Sequence, residues 1–463
     1  MALISTSANL TLLRAAQTLI EIPKTLRPSP LETEQELAAF YRKEVQSLRG
    51  VDRLGRIRLG LEDAFTDHRY YKAFLMGHPG VGKTTELVRL MGQMSRQVRP
   101  LRLSVTSELN PGNFRFYDVL LLMLIRLVKA AADPTVSGFE GHDLDSLMSR
   151  VRAHLSTKWT KHLQTTSADW GIGLKLPFLG LLGNLKQGRS IESGEQEYEV
   201  SFVSDLVDLM NDVLRSCNRI LQSHKQQSWV IILEDFEKLG IQPAALRDLF
   251  VGLRPSLQDL EANILITIPV WLYYSDEAQV ILPSKFDYCL LPDIAVYTKD
   301  HQSDSDALHA LSRVVEARIN PALLNNNVLK RCVLASGGNV RDLFTLLRDS
   351  MISARLRAAD TISLEDANGA VLNLRNDYKQ RLGSTSANPG EATLEQKLDR
   401  LVEIYERKNP TAEVPDAVLY SLLRQRFVLQ YNGSAWMGVH PLAVDLLMEF
   451  GELKADSPGG SGS

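Results

Sequence analysis

Five short apolar runs lie within the first 300 residues and alternate with segments of helical periodicity. The runs occupy residues 71–77, 101–108, 228–240, 263–275 and 287–298. The segments TTELVRLMGQMSRQV and FYDVLLLMLIRLVKAA between them have the pattern of helices, the second of them buried. Buried strands that alternate with helices are typical of a parallel sheet covered on both faces. The pattern therefore predicts an α/β fold with a five-stranded parallel sheet.

After residue 300 the pattern becomes helical, and four helical segments up to residue 385 predict an all-α domain. The stretch GSTSANPGEAT at 383–393 has the composition of a linker. Two further helical patterns precede RFVLQYNGSAWMGV, in which Asn-Gly between strand-like runs predicts a hairpin. Two helices followed by a hairpin predict a small winged-helix-like domain.

The chain is thus expected to contain an N-terminal helical arm (1–48), an α/β core (49–300), an all-α domain (301–385) and a winged-helix-like domain (386–453). Residues 454–463, which end in SPGGSGS, have the composition of an added linker.

An insertion at 155–200 interrupts the core. Its segment 167–190 contains several glycines and Pro177, which argue against one helix and favour a hairpin or an extended excursion. This apolar excursion either packs on its own domain or contacts another copy or partner, with 178–185 as the candidate surface for self-association. It is too short to span a bilayer.

Composition and charge narrow the class of protein. Of the 463 residues, 44% are apolar and 23% charged, and the net charge of −3 gives no bulk attraction to nucleic acid or anionic lipid. The three cysteines are far apart in sequence, which suits a reduced protein without a disulfide framework or zinc site. The N-terminus lacks the pattern of a signal peptide, and no apolar stretch has the length of a transmembrane helix. A cytoplasmic location without a membrane partner is expected.

The stretch GHPGVGKT, between the first apolar run and a helical segment, matches the phosphate-binding pattern G-x-x-x-x-G-K-T. Its glycines let backbone N–H groups turn toward a phosphate, and the helix N-terminus adds partial positive charge. Lys83 is expected to reach the β- and γ-phosphates of ATP, and Thr84 is expected to bind Mg²⁺. The predicted ATP-binding residues are Gly77, His78, Pro79, Gly80, Val81, Gly82, Lys83, Thr84 and Thr85. The alternatives are a strand-to-helix turn with a surface lysine and, for Thr85, a helix start without a phosphate role.

Carboxylates at the end of the third run, VIILEDFEKL, are candidates for the second part of such a site. A P-loop site needs one carboxylate near Mg²⁺ and usually a second that orients the attacking water. By register, Glu234 takes the metal position and Asp235 the water-activating position. Because Asp235 has one methylene less reach than a glutamate, slow hydrolysis is expected. The alternative is an acidic loop after a buried strand.

Two further residues are candidates for the catalytic site. Thr267 is the polar residue in the run NILITIP. In P-loop ATPases with an added strand, a polar residue at the end of that strand contacts the γ-phosphate or the water, and the same role is expected of Thr267; the alternative is an ordinary strand threonine. In ASGGNVRDLF, Asn339 caps a predicted helix and Arg341 lies in its first turn, where the helix dipole disfavours a cation. An anionic ligand explains that arginine; the alternative is an ion pair with Asp342, Asp349 or another acid.

The combination of GHPGVGKT, VIILED, a polar residue on ITIP and SGGNVR resembles AAA+ and STAND-type P-loop ATPases. The nearest group is that of origin-recognition initiators, transposition regulators and bacterial antiphage ATPases with a C-terminal winged helix. The resemblance covers residues 49–450. It implies an ATP-binding core with a helical lid, Arg341 as the lid arginine, and an adenine contact near residues 49–52 in LRGVDRL.

The chain departs from that family in one respect. AAA+ rings place an arginine near the end of the helix before the fifth strand, where it contacts a neighbour's nucleotide. Between residues 269 and 298 there is no arginine, and Lys285 is the only basic residue before Lys299. This leaves open a STAND-like switch, or an assembly that uses Lys285 or an arginine from elsewhere, such as Arg254.

Three functions are compatible with these features. The first is an ATP-binding, slowly hydrolysing switch that forms homo-oligomers and signals to a partner protein, with antiphage defence as one setting. The second is a DNA-binding initiator or transposition-regulator ATPase, and the third is a nucleotide-binding scaffold with negligible turnover. Between residues 386 and 453, ten acidic and six basic residues argue against extensive phosphate contacts, although Arg424 and Arg426 are candidates for a small basic patch. Charge therefore favours protein recognition and the first function.

Overall fold

The computed structural model describes residues 12–50, 52–109, 116–131, 196–236, 243–275, 278, 286–383, 392–409, 411–431 and 436–454. The predicted excursion at 167–190, Lys285, the Asn-Gly of the hairpin and the tail from residue 455 lie outside the described residues.

Residues 12–50 form an arm that packs against the helical part of the chain. It contains α1 (Ile22–Thr25), α2 (Glu34–Phe40) and α3 (Glu44–Ser47). Thr33 and Glu36 form a reciprocal capping box at the start of α2. The predicted helical arm is divided into short helices, and the chain becomes extended at Tyr41. A backbone bridge between Ala16 and Ile319 holds the arm to the region after residue 300.

A five-stranded parallel sheet forms the centre of the core, which confirms the predicted α/β class. Its strands are β1 (Lys72–Gly77), β2 (Val98–Ser104), β3 (Ser228–Glu234), β4 (Asn263–Pro269) and β5 (Asp287–Leu290). They lie in the order β2-β3-β4-β1-β5, and each neighbouring pair is parallel. β4 thus separates the strand before the glycine-rich stretch from the strand that ends in carboxylates. The carboxyl ends of all five strands meet at one edge.

Helices cover both faces of the sheet because its strands are apolar on both sides. They are α4 (Arg53–Thr66), α5 (Lys83–Gln93), the short α6 (Val105–Glu108), α7 (Phe116–Ala131), α8 (Gln196–Lys225) and α9 (Pro243–Asp259). α4 and α5 share one apolar core with the sheet, and α7, α8 and α9 share another on the opposite face. The residues 119–124 of α7 are fully buried, as predicted for this helix.

Four of the five apolar runs extend beyond the strands that they contain. The run at 228–240 is a strand only to Glu234, and the run at 287–298 only to Leu290. The run at 101–108 is wrong as a strand after Ser104, because α6 follows and turns Val105 and Leu109 into the core. The run at 263–275 leaves the sheet after Pro269 and continues as a 3-10 helix (Val270–Tyr274). None of the helices in the described ranges has the length and apolar content required to cross a bilayer. Cys217, Cys289 and Cys332 are buried, and none of the three is in a disulfide bond.

The segment after residue 300 forms the predicted all-α lid. It contains α10 (Ser305–Glu316), α11 (Val328–Ala335), α12 (Val340–Leu356) and α13 (Leu364–Gly383), with a 3-10 turn at Pro321–Leu323. Asp304 caps α10 and Asn339 caps α12 through side-chain oxygens that accept backbone N–H groups. The lid, the arm and the following helices share one apolar core.

The last part of the chain, here called the C-terminal unit, has the predicted order of helix, helix and hairpin. It contains α14 (Leu394–Glu406), α15 (Ala417–Gln425), the antiparallel strands β6 (Val428–Gln430) and β7 (Met437–Val439), and a further helix α16 (Pro441–Phe450). The fold class is therefore that of a P-loop NTPase sheet with an all-α lid and a small winged-helix-like unit. The domain boundaries stay predictions, because the unit packs directly on the lid.

A buried histidine lies where the C-terminal unit meets the lid. His440 caps α16 by accepting the Leu442 N–H at 3.2 Å, and its ring stacks on Tyr378 of α13 with 4.5 Å between ring centres. The pKa of His440 is lowered to about 3, chiefly by burial and also by Arg426 and Arg381, while Asp342 opposes the shift. The ring is therefore neutral in the folded chain at neutral pH.

This histidine is expected to make the fold sensitive to acid. Its pKa in the unfolded chain is about 6.5, so the unfolded state binds an extra proton below that pH. The stability that it contributes is complete above pH 6.5 and is lost as pH falls toward 3. We expect His440→Asn, which keeps a capping side chain, to reduce the slope of unfolding free energy between pH 6.5 and 5 by up to about 1.4 kcal/mol per pH unit. Denaturant titrations at each pH measure the unfolding free energy, and His309→Asn, at an exposed histidine, is the control. An unchanged slope in His440→Asn would contradict the prediction.

Candidate functional site

The glycine-rich loop between β1 and α5 has the backbone of a phosphate-binding turn. Gly80 has φ 91° and Gly82 has φ 102°, a left-handed region that glycine adopts without steric cost. A side chain on Gly77 would lie 2.7 Å from the Leu291 carbonyl oxygen. The glycines of the motif are thus required by the local geometry.

Lys83, the first residue of α5, is 5% exposed and folds over this loop. Its Nζ donates hydrogen bonds to the carbonyl oxygens of Gly77 at 3.0 Å and His78 at 3.2 Å. The ammonium group and the helix N-terminus therefore place positive charge on the same side of the loop.

The other loop residues have different surroundings. Thr84 and Thr85 both border the cavity described below, and the Thr85 hydroxyl also accepts a hydrogen bond from the Leu31 N–H of the arm at 3.1 Å. Thr85 thus has a structural partner, which favours the alternative without a phosphate role. The His78 ring is buried, its two nitrogens have no hydrogen-bond partner, and burial lowers its pKa well below the usual value. His78 is therefore neutral. The Pro79 carbonyl accepts a hydrogen bond from Asn339 of the lid.

The two candidate carboxylates lie in different environments. Glu234, at the end of β3, is 3% exposed; its Oε2 accepts a hydrogen bond from Arg102 Nε at 2.7 Å, while its buried Oε1 has no partner. Asp235 follows with a left-handed φ of 73° and borders the cavity. Its Oδ2 accepts a hydrogen bond from the Ser104 hydroxyl at 2.6 Å. Asp235 is thus the carboxylate that faces the cavity.

Thr267 lies beside Asp235 on the neighbouring strand β4. It is 1% exposed, and its hydroxyl accepts the Asp235 backbone N–H at 3.3 Å. Thr267 is absent from the cavity lining. In this arrangement its hydroxyl supports the turn that carries Asp235.

The lid reaches the loop through the first turn of α12. The Asn339 side-chain amide donates to the Pro79 carbonyl at 3.1 Å, and its oxygen accepts the N–H groups of Arg341 and Asp342. The fit is close, because a side chain on Gly80 would approach both Asn339 and Arg341 to 2.6 Å. Arg341 borders the same cavity as Lys83. The first turn of the lid helix therefore lies against the phosphate-binding loop.

The segment expected to contact adenine instead braces the loop. Arg49 is 5% exposed, donates to the Val81 carbonyl at 2.5 Å and pairs with Glu86 of α5 at 3.3 Å. Asp52 caps α4 by accepting the Gly55 N–H at 2.9 Å. Burial lowers the pKa of Arg49, although Glu86 and Asp293 oppose that shift.

The loop, the lid and the arm border one partly open cavity of about 160 Å³. Among the described residues, six basic ones border it, of which the sequence predicts a site role for three: Arg27, Arg42, Arg49, Lys83, Arg318 and Arg341. The acidic residues that border it, within the same described ranges, are Glu86 and Asp235. Arg27, Arg42 and Arg318 were missed because nothing in their sequence surroundings distinguishes them from surface arginines. The cavity suits a compact, highly charged anion.

The close approach at Gly80 provides a test of this arrangement. We expect Gly80→Ala to weaken ATP binding at least tenfold, because a β-carbon there both strains the left-handed turn and displaces Asn339 and Arg341. Gly92→Ala, at a position of α5 with open space around it, is the matched control and should retain affinity while stabilising the fold by about 0.5–1 kcal/mol. Calorimetric titration with ATP and thermal unfolding measure the two effects. Equal ATP affinity in both variants would contradict the close packing.

Similarity searches against known proteins give structural matches. No protein-family model matches the sequence, and no curated protein matches it. The Aeropyrum pernix ORC1 protein in complex with DNA is 16% identical, with a TM-score of 0.37 over 86% of this chain and 91% of that one. Cdc6p from Pyrobaculum aerophilum is 13% identical, with a TM-score of 0.37 over 92% and 96%. The Thermotoga maritima RuvB branch migration motor is 11% identical, with a TM-score of 0.36 over 91% and 98%.

Likeness at this level transfers no residue role and no partner to this chain. The strand order with β4 between β1 and β3, the glycine-rich loop before α5 and the lid helix seated on that loop are features of the chain itself. Together they have the arrangement of a P-loop fold with a helical lid.

Proposed function

We propose that this chain is an ATP-binding and slowly hydrolysing molecular switch. The observation that carries the proposal is the cavity with six basic and two acidic side chains at its border, counted over the described residues. A triphosphate supplies the negative charge that such a cavity lacks. The loop N–H groups, Lys83 and the N-terminus of α5 are suited to hold its phosphates.

The remainder of the cavity suits a planar base. Phe40 and Val45 of the arm and Phe344 of the lid provide apolar surface at its border. Arg318 lies between two rings, with its guanidinium 4.9 Å from the centre of Phe40 and 5.1 Å from that of Phe344. This apolar part supports adenosine binding between the arm and the lid. The adenine contact would then involve the arm and the lid as well as Arg49, which borders the same cavity.

Hydrolysis requires a group that takes a proton from water, and Asp235 is the carboxylate in position to do so. Its Oδ2 already accepts the Ser104 hydroxyl at 2.6 Å, and its side chain is short. Glu234, the other carboxylate, is engaged by Arg102. These constraints support slow turnover.

The surrounding residues fit a magnesium ion. Thr84 borders the cavity, and the unpartnered Glu234 Oε1 is a buried oxygen of the type that Mg²⁺ binds. Among the described residues no three His, Cys, Asp or Glu side chains surround one metal position. Thr84 and Glu234 would therefore hold Mg²⁺ together with phosphate oxygens and water. The ion would neutralise charge on the β- and γ-phosphates.

Nucleotide-dependent switching is supported by the position of Arg341. It is carried by the lid, whereas Lys83 and Asp235 belong to the core. A γ-phosphate bound between Arg341 and the core residues draws the lid and the core together, and ADP lacks that phosphate. Because the two nucleotides then differ in affinity for the closed arrangement, they shift the equilibrium between arrangements.

The alternative of a DNA-binding initiator receives less support from the C-terminal unit. Arg426 is bound to Asp342 of the lid, Arg400 pairs with Asp416, and Arg407 lies over Trp436 at 4.4 Å. The predicted basic patch of Arg424 and Arg426 is therefore wrong, because Arg426 is turned into the protein. A protein partner and self-assembly stay part of the proposal. The antiphage setting comes only from the family resemblance.

A scaffold with negligible turnover is the second candidate, and the Arg102–Glu234 pair favours it. Arg102 holds one oxygen of the metal-position carboxylate at 2.7 Å. If that pair persists with nucleotide bound, the carboxylate is poorly placed for metal binding. ATP would then be held without being cleaved.

One experiment separates binding from turnover. We expect Lys83→Ala to abolish measurable ATP binding, since it removes the cation at the loop. Asp235→Asn should keep ATP affinity while reducing turnover about 10²-fold or more, the scale of a lost general base. Calorimetry and phosphate release are the measurements, with Lys129→Ala on α7 as a control. Unchanged binding in a folded Lys83→Ala protein refutes the site, and absent turnover in the unsubstituted chain supports the scaffold.

A second experiment tests the switch. We expect larger species by light scattering with a slowly hydrolysed ATP analogue than with ADP at the same protein concentration. Arg341→Ala should remove that difference while retaining binding of both nucleotides. The residues 178–185 are the proposed contact, and their deletion should act like Arg341→Ala. Equal masses under all nucleotide conditions would reject nucleotide-driven assembly.

A further inference from the structure

A buried ion pair joins the C-terminal unit to the helix that carries Arg341. Arg426, which ends α15, donates from both terminal nitrogens to Asp342 Oδ1 at 3.1 Å. The Arg426 side chain is 14% exposed and that of Asp342 is 5% exposed. Tyr378 of α13 donates its hydroxyl to Asp342 Oδ2 at 3.1 Å. Asp342 is thus bound from two sides, by the lid and by the C-terminal unit.

Asp342 and Arg341 are consecutive in the first turn of α12, and a single side chain holds both of their backbones. The Asn339 oxygen accepts the Arg341 N–H at 3.1 Å and the Asp342 N–H at 3.3 Å. Consecutive residues of a helix project about 100° apart. Arg341 borders the cavity while Asp342 meets Arg426. The turn therefore moves as one body, and a displacement of Asp342 also displaces Arg341.

A second connection runs parallel to the first. Asp293, which follows β5, accepts the Asn339 amide at 3.0 Å through Oδ1 and donates its backbone N–H to the Gln430 carbonyl of β6 at 2.9 Å. Asp293 is fully buried, and burial raises its pKa to about 6, although Asn339 and Arg426 oppose the shift. The core, the lid cap and the C-terminal unit thus share one hydrogen-bonded chain.

From this geometry we propose that Arg426 is a positioning residue for the nucleotide site. By binding Asp342 it fixes the first turn of α12 against the glycine-rich loop, and so holds Arg341 at the cavity. Docking of the C-terminal unit and binding of ATP then favour each other, because coupling between two binding events is reciprocal. A partner that pulls the C-terminal unit away from the lid would lower ATP affinity. This inference rests on the proposed function, since it concerns the same nucleotide.

The first test compares two arginines of the C-terminal unit. We expect Arg426→Gln to weaken ATP binding at least about fivefold, the lower end of usual coupling. Arg400→Gln is the matched control, because the hydrogen bonds and ion pairs of Arg400 among the described residues lie inside the unit, including its pair with Asp416 at 2.7 Å. Asp342→Asn should weaken binding to the same extent as Arg426→Gln, and the double variant should weaken it no further. Equal affinity in the unsubstituted and Arg426→Gln proteins would overturn the proposal.

Should Arg426→Gln fail to fold, Tyr378→Phe carries the test, because it removes only the second hydrogen bond to Asp342. It should weaken ATP binding in the same direction but to a smaller extent. Unchanged affinity in Tyr378→Phe would then count against the role of Asp342.

The second test measures directly whether the C-terminal unit is docked on the rest of the chain. The Asp293 amide is protected by a carbonyl of the C-terminal unit, so its hydrogen exchange reports whether that unit is docked. A slowly hydrolysed ATP analogue should slow exchange at Asp293 in the unsubstituted protein and should not do so in Arg426→Gln. If the Arg426–Asp342 pair had only a structural role, Arg426→Gln would change hydrogen exchange at Asp293 equally with and without nucleotide. That result would overturn the proposal. Failure of the unsubstituted protein to bind ATP would instead reject the proposed function.

Discussion

The site depends on the side chain of Asn339, which is fully buried where three parts of the chain meet. Its amide donates to the Pro79 carbonyl of the loop and to the Asp293 carboxylate after β5, while its oxygen caps α12. A capping aspartate has no N–H groups and would make neither donor contact. The identity of this one residue thus sets how closely the lid approaches the phosphate-binding loop.

Much of this arrangement follows from local sequence. The strands could be predicted because a strand that is buried on both faces is a continuous apolar run in the sequence. The loop could be predicted because its left-handed φ values require glycine at two positions. Asn339 as a helix cap is likewise a local property. Roles that depend on distant partners could not be predicted. Arg102 holds Glu234 from 132 residues away, and Arg426 reaches Asp342 across 84.

Buried arginines distinguish this site from a simple basic surface. Arg49 and Arg318 are 5% and 6% exposed, and burial lowers the pKa of Arg318 to about 9, with Arg42 adding to the shift. Arg318 is satisfied by the carbonyls of Phe40 and Val314 and by the two aromatic rings that flank it. Removing a charge from water is costly unless such partners replace the lost hydration. These guanidinium groups are therefore held in place before any ligand arrives, which reduces the reorganisation that binding requires.

The arm forms one wall of the cavity, although it precedes the core in sequence. Its residues 27–31 and several between 40 and 49 border the space, and Leu31 is tied to Thr85 of the loop helix. If a nucleotide binds there as proposed, the arm and the lid would each cover one side of it. The opening rate of these covering segments would then contribute to the lifetime of the bound state, in addition to the strength of the phosphate contacts. The bound state would persist for a time after the free nucleotide concentration has changed.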